Sequence, residues 1–250
     1  MSQRAATIPM VSCIMTTRDR GQFVLQSIRY FQRQNYPSRE LLILDDGAQD
    51  LSSEMGSDER IRYVRVPAGL TIGSKRNRGC ELARGRIIAQ WDDDDWYAPN
   101  RLSAQAAPLI AGTAQISGLT AGLIFDLDSW QFWRCTRALH RRMFFGDVHC
   151  GTLVFQRSLF EQGVRYPDQS LAEEAWLLHY ATQRGARLRR LPGEPLFIYL
   201  RHARNSWQFV CGEFIDPRGW QRAPEPSLPL EDRAFYKARS ASGRPISPDS

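Results

Sequence analysis

The first hundred residues alternate short apolar runs with amphipathic stretches, and the apolar runs end in polar or acidic residues. VSCIM (11–15), ELLIL (40–44), IRYVRV (61–66) and RIIAQW (86–91) each have the length and apolar content of a strand. Between them, 22–34 sets Phe23, Ile28 and Phe31 at helical spacing, and 74–84 reads as a helix stopped by Gly85. Strands alternating with helices predict an α/β fold built on a mainly parallel sheet flanked by helices. Such sheets collect ligands outside the carboxyl ends of their strands. Three of those ends are TTRDR (16–20), DDG (45–47) and DDDD (92–95), and the search for function starts there.

The stretch QWDDDDWYAP (90–99) sets four aspartates side by side with no local base to neutralise them. An acidic run ordinarily reads as a solvated turn. At the end of a strand it also suits a hard divalent cation, because Mg2+ and Mn2+ prefer oxygen ligands from a few carboxylates plus substrate phosphates. Asp92 and Asp94 share a side if the segment is extended. The aspartate-rich motifs of prenyl-transfer enzymes lie on helices, whereas this run lies between a strand and Pro99. TTRDR does not supply the N-terminal nucleophile of aspartyl-phosphate phosphatases.

With 250 residues, 42% of them hydrophobic, the chain can bury the core of one large α/β domain or two small ones. No apolar run reaches the ~18 residues of a membrane span, and MSQRAATIP lacks the apolar stretch of a secretory signal. The expectation is a cytoplasmic protein with no transmembrane segment, membrane-surface attachment staying open. Five scattered cysteines without CxxC spacing indicate neither a zinc site nor a disulfide framework. The net charge of +6 favours acidic partners such as nucleotides, nucleic acids or anionic lipids. The arginine clusters at 134–142 and 184–190 ordinarily read as solvated faces.

The second half is less regular. A strand is expected within 115–125, hairpin or loop over 130–145, strands at 152–156 and 196–200, and a helix over 173–184 with Trp176, Leu177 and Tyr180 on one face. Six prolines after position 215 suggest an extended or disordered tail over 216–250.

The ordered set VSCIMTTRDR, ELLILDDG and SKRNRGCELARGRIIAQWDDDDWYAPNRL resembles the nucleotide-sugar-binding half of family 2 glycosyltransferases, over residues 9 to about 210. The resemblance implies a GT-A (Rossmann-like) fold in one catalytic domain, 1–215, with a donor half at 9–102 and an irregular acceptor half at 103–215. It implies a metal-dependent inverting transfer of a sugar from a nucleotide-diphospho-sugar, with UDP the leading nucleotide, to an acceptor hydroxyl, assisted by Mn2+ or Mg2+.

Residue by residue, it implies that Thr16, Thr17 and Arg18 end the first strand near the base. Asp45 and Asp46 are the paired acids that meet the pyrimidine, where a charged acceptor suits an N–H. Lys75, Arg76 and Asn77 meet base or phosphates. Asp92 and Asp94 match the ends of the DxD motif: Asp94 ligates the metal with His202, and Asp92 and Asp93 face the ribose or the metal. Gly151, in HCGTLVF, lines the sugar pocket, where a glycine lets backbone approach a ligand. Glu173 and Glu174 stand where the family commonly has Glu-Asp, with Glu174 in the base's place and one methylene longer. Asp95, Trp96 and Trp207 adjoin these motifs and are candidates to meet the acceptor.

Three rival expectations remain: a non-catalytic nucleotide-sugar binder, a glycosyltransferase acting on nucleic acid, and a nucleotidyltransferase. The last lacks a glycine-rich phosphate loop near the N-terminus.

Overall fold

The computed structural model describes residues 8–240. The expectations attached to residues 1–7 and to the last ten of the tail lie outside the described residues.

The predicted alternation forms the larger of two sheets. Its strands are β1 (Val11–Thr17), β2 (Arg39–Asp45), β3 (Ile61–Arg65), β4 (Ile87–Gln90), β6 (Ile116–Leu119), β9 (His149–Gln156) and β10 (Leu188–Leu191), in the order β10-β6-β9-β4-β1-β2-β3. β1, β2, β3 and β4 run parallel, and β2 is buried along its whole length, as its unbroken apolar run requires. β9 pairs antiparallel with both β4 and β6. That reversal has a use: it brings the start of β9, His149 to Gly151, to the edge where β1, β2 and β4 end.

The helices are α1 (Gly21–Gln32), α2 (Ile72–Leu82), α3 (Arg101–Ile110), α4 (Arg137–Met143), α5 (Arg157–Glu161), α6 (Glu173–Gln183) and α7 (Leu230–Lys237). α2 starts two residues before the expected position because Thr71 caps it, its side-chain oxygen accepting from the Ser74 N–H. Gly73 in its first turn lets the helix meet the 167–169 segment: a Cβ there would lie 1.9 Å from the Pro167 carbonyl oxygen. This close approach sets the start of α6 beside α2.

A second sheet runs β12-β8-β7-β11-β5, from β5 (Trp96–Tyr97), β7 (Leu123–Asp126), β8 (Gln131–Cys135), β11 (Phe197–Arg201) and β12 (Trp220–Ala223). β5 follows the aspartates directly and pairs antiparallel with β11. The acidic run is thus the crossing point between the two sheets. The chain expected to be hairpin or loop over 130–145 is strand β8 followed by helix α4.

The tail expectation is corrected over its described part. β12 adds to the edge of the second sheet beside β8, and α7 packs on α1. Asp232 of α7 is fully buried, held by both terminal nitrogens of Arg33 at 3.0 and 2.8 Å, by Gln26 and by the Trp96 indole. Tyr236 donates or accepts through its hydroxyl at 2.8 Å from that of Tyr30. Prolines space these elements without preventing them, since the stabilising partners lie far earlier in the chain. Among the described residues no helix is long and apolar enough to cross a membrane.

Candidate active site

A cleft of ≈ 390 Å³ opens at the carboxyl edge of the large sheet, between the aspartate crossing, the start of β9, the start of α6 and the 205–207 segment. Thr16, Arg76, Asp92, Asp93, Asp94, Gly151, Glu173, Glu174 and Trp207, all expected from the sequence, line it together.

One wall is built on Asp93 and Asp94. Asp93 accepts from the Thr17 hydroxyl at 2.6 Å and from Arg20 Nη1 at 2.9 Å. A single oxygen of Asp94, Oδ2, is approached by Arg20 Nη1 at 2.8 Å and by His202 Nε2 and Asn205 Nδ2, each at 3.1 Å. His202 Nδ1 accepts from the Arg204 N–H, so Nε2 carries the ring proton and donates it to Asp94. Burial works against ionising Asp94, but the His202 hydrogen bond and the Arg20 charge outweigh it and hold the carboxyl below the usual range. Asp93 is pushed up, by burial first and then by the Asp94 charge, against Arg20.

The other wall is built on Arg76, which is almost wholly buried. Its Nη2 lies 2.9 Å from Asp92 Oδ1 and 2.8 Å from Glu174 Oε1, and its Nε lies 3.3 Å from Glu173 Oε1. One guanidinium therefore joins the aspartate run to the first turn of α6. Glu174 keeps 17% of its side chain exposed to the cleft, whereas Glu173 keeps 3%. Burial and the neighbouring Glu173 charge push the Glu174 carboxyl up to about 8, against the pull of Arg76. Gly151 faces Asp92: a Cβ there would meet Asp92 Oδ2 at 2.6 Å.

Beyond the cleft, at the end of β2, Asp45 accepts from the Gly47 N–H, the Tyr63 hydroxyl and Arg65. Asp46 Oδ1 accepts from Lys75 Nζ at 2.6 Å, and Lys75 also donates to the Thr17 carbonyl. The second oxygen of Asp46 is buried without a hydrogen-bond partner. This group adjoins the cleft through Thr17 but does not line it.

Four expected residues are placed elsewhere. Arg18 points to solvent, with 63% of its side chain exposed. Asn77 spends its amide on the backbone of Tyr166, donating to the carbonyl at 2.8 Å and accepting from the N–H at 3.0 Å. Trp96 is turned into the core by the pairing of β5 with β11, and its indole N–H serves Asp232. Asp95 is fully buried, accepts from the Leu200 N–H at 2.8 Å and is pushed well up by burial and by the Asp94 and Asp92 charges. Neither Trp96 nor Asp95 lines the cleft.

Two residues of the site were not singled out from sequence, Arg20 and Asn205. Arg20 ends the quoted TTRDR, and Asn205 lies three residues past His202; the signal was their adjacency to polar strand ends. Among the described residues no three His, Cys, Asp or Glu side chains are arranged to hold a metal unaided.

The family model described as "Glycosyl transferase family 2" matches residues 12–163. The chain is 31% identical over 103 residues to an uncharacterized glycosyltransferase of Haemophilus influenzae, a match covering 39% of this chain and 41% of that protein. It therefore spans well under half the length of that relative. S. aureus TarS, solved with UDP-GlcNAc, superposes with a TM-score of 0.61 at 15% identity, covering 82% of this chain and 62% of that one. The mannosyltransferase PcManGT of Pyrobaculum calidifontis, solved with GDP-Man and Mn2+, superposes with a TM-score of 0.62 at 15% identity, covering 80% and 59%. The architecture is that of the GT-A structures, and with more than half its length inside the family match, the chain belongs to glycosyltransferase family 2.

Proposed function

We propose that this chain transfers a sugar from a nucleoside-diphosphate donor, UDP being the leading nucleotide, to an acceptor hydroxyl, with inversion at the anomeric carbon. The observation that carries this is the meeting, in one cleft, of Asp94, backed from behind by His202, and of a second acid, Glu174, whose proton affinity suits a base. Arg76 ties Glu174 to Asp92, so base and donor site are held in a common frame. A general base works best when its pKa lies near the working pH, and a carboxyl raised to about 8 meets that condition. Glu174 takes the proton of the acceptor hydroxyl as its oxygen attacks. One base and direct displacement give a β-linked product from an α-linked donor. The solved complexes of TarS with UDP-GlcNAc and of PcManGT with GDP-Man and Mn2+ support a nucleotide-sugar donor.

Asp94 and His202 fit Mn2+ or Mg2+ by donor chemistry: a carboxylate oxygen on the cleft wall has an imidazole nitrogen 3.1 Å behind it. Donor phosphates and water would fill the remaining positions. When bound, such an ion offsets the negative charge that develops on the leaving diphosphate.

A released-nucleotide assay over UDP- and GDP-sugars, on wild type and Glu174→Gln, tests the reading. Expected is turnover of one donor by the wild type, a loss of roughly 10²–10⁴ in the variant, and unchanged donor affinity. Donor binding without turnover in either protein would instead mark a nucleotide-sugar binder.

A further inference from the structure

We infer that Arg20 is a built-in rival of the divalent cation at Asp94, and that cation binding hands its guanidinium over to the donor's diphosphate. This rests on the reading of Asp94 and His202 as cation ligands. Asp94 Oδ2 already receives three donors, from Arg20, His202 and Asn205, at 2.8, 3.1 and 3.1 Å. A cation held by that same oxygen competes with these three donors for its two lone pairs. Asn205 and His202 are neutral donors when the ring carries one proton. Arg20 is a full positive charge in contact with the ligating oxygen, and two cations at that distance repel strongly in a partly buried wall. Arg20 is the partner that yields.

His202 adds a second, independent constraint. Its Nδ1 accepts from the Arg204 N–H at 3.1 Å, which leaves the proton on Nε2. Ligation through Nε2 needs that nitrogen's lone pair, so the ring proton must move to Nδ1 and the Arg204 N–H must turn away. The same turn is bound to Arg20: Arg20 Nη2 donates to the Arg204 carbonyl, and Arg204 Nη2 donates to the Asp19 carbonyl at 2.6 Å. Displacing Arg20 and releasing the turn after His202 are therefore one event. Arg20 keeps a hold on Asp93 Oδ1 at 2.9 Å, and Asp93 is itself anchored by Thr17. The guanidinium pivots there instead of leaving, and it stays on the wall of the cleft that takes the donor. A planar fork of N–H donors suits phosphate oxygens.

The inference gives opposite signs for two ligands. Mn2+ alone, followed by calorimetry and by the spin-resonance signal of free ion, should bind Arg20→Gln at least about tenfold more tightly than wild type, because a competing charge is gone. Arg20→Lys, which keeps the charge, should stay close to wild type. UDP titrated at saturating Mn2+ should bind Arg20→Gln on the order of tenfold more weakly. A merely structural role for Arg20 would weaken both. Hydrogen exchange on the wild type needs no substitution: Mg2+ alone should speed exchange at the Arg204 amide, and unchanged exchange contradicts the release. Asp94→Ala separates this inference from the cation reading. If it abolishes Mn2+ binding while Arg20→Gln binds no tighter than wild type, the site stands and the rivalry is wrong. If Asp94→Ala binds Mn2+ like wild type, the cation reading falls and the rivalry with it.

Discussion

Two arginines line the cleft, and one acid beside each, Asp94 beside Arg20 and Glu174 beside Arg76, is held in the opposite state from the other. On the Arg20 wall, three donors converge on one oxygen of Asp94, and its carboxyl stays ionised despite burial. On the Arg76 wall, one guanidinium is shared among Asp92, Glu173 and Glu174, and Glu174 holds its proton up to about 8. On both sides an arginine meets carboxylates at similar distances. What differs is the number of positive or hydrogen-bonding groups per carboxylate. A concentrated set of donors keeps a carboxyl ionised, and a diluted one leaves it holding its proton. The same reasoning answers how four neighbouring aspartates coexist: Asp93 and Asp95 are pushed toward the neutral form, so the run does not carry four full charges.

The contrast breaks most visibly at Glu174. For wild type, kcat/KM should rise with pH and level off above about 8, since the ionised carboxylate is the active form. Glu174→Gln should lose roughly 10²–10⁴ in kcat/KM and lose the pH step. Stability follows with a definite sign. Between the ordinary value of 4.5 and about 8 the folded state holds a proton that the unfolded chain has released, so wild-type stability falls as pH rises through that window. Glu174→Gln should show less of that decline in thermal unfolding from pH 5 to pH 8.5, values chosen to span roughly the titration.

A smaller effect is expected from Arg76→Lys, which keeps the charge but not the fork. Because Arg76 pulls the Glu174 pKa down, looser pairing should move the midpoint of the pH–rate profile upward, with roughly a tenfold loss in kcat/KM. An unmoved midpoint would show that Arg76 does not tune the base. Gly151→Ala comes next: its new methyl group would press on Asp92 Oδ2 from 2.6 Å, and donor affinity measured by calorimetry should weaken by about tenfold while thermal stability changes little. Trp96→Phe should be felt only in the fold. Losing the indole bond to buried Asp232 should cost about 1–2 kcal/mol in chemical denaturation, with KM unchanged.

The first hundred residues were legible because their information is local. Apolar runs of strand length, the spacing around Phe23, Ile28 and Phe31, and polar strand ends are all visible within ten or fifteen residues. The rest depends on partners far apart in the chain. α7 has unremarkable local sequence after a run of prolines, and it is anchored by Arg33, Gln26 and Trp96, some two hundred and one hundred and forty residues earlier. Trp96 looked available because it adjoins the aspartates, but alternation along β5 turns it away from the cleft. Arg20 reaches Asp93 and Asp94 across more than seventy residues. The acids were read as a site from their strand-end positions and from the family resemblance, and Arg76 was read with them, though as a donor-binding residue and not as the partner of Glu174. Arg20 was missed, since a lone arginine in sequence carries no sign of its partner.

The most direct measurement is calorimetric titration of UDP-sugars into wild type and Asp94→Ala, each with and without Mn2+. Binding that requires Mn2+ and vanishes in Asp94→Ala is the predicted result. Equal binding by both proteins, or binding indifferent to the ion, would contradict a cation-assisted donor site at Asp94.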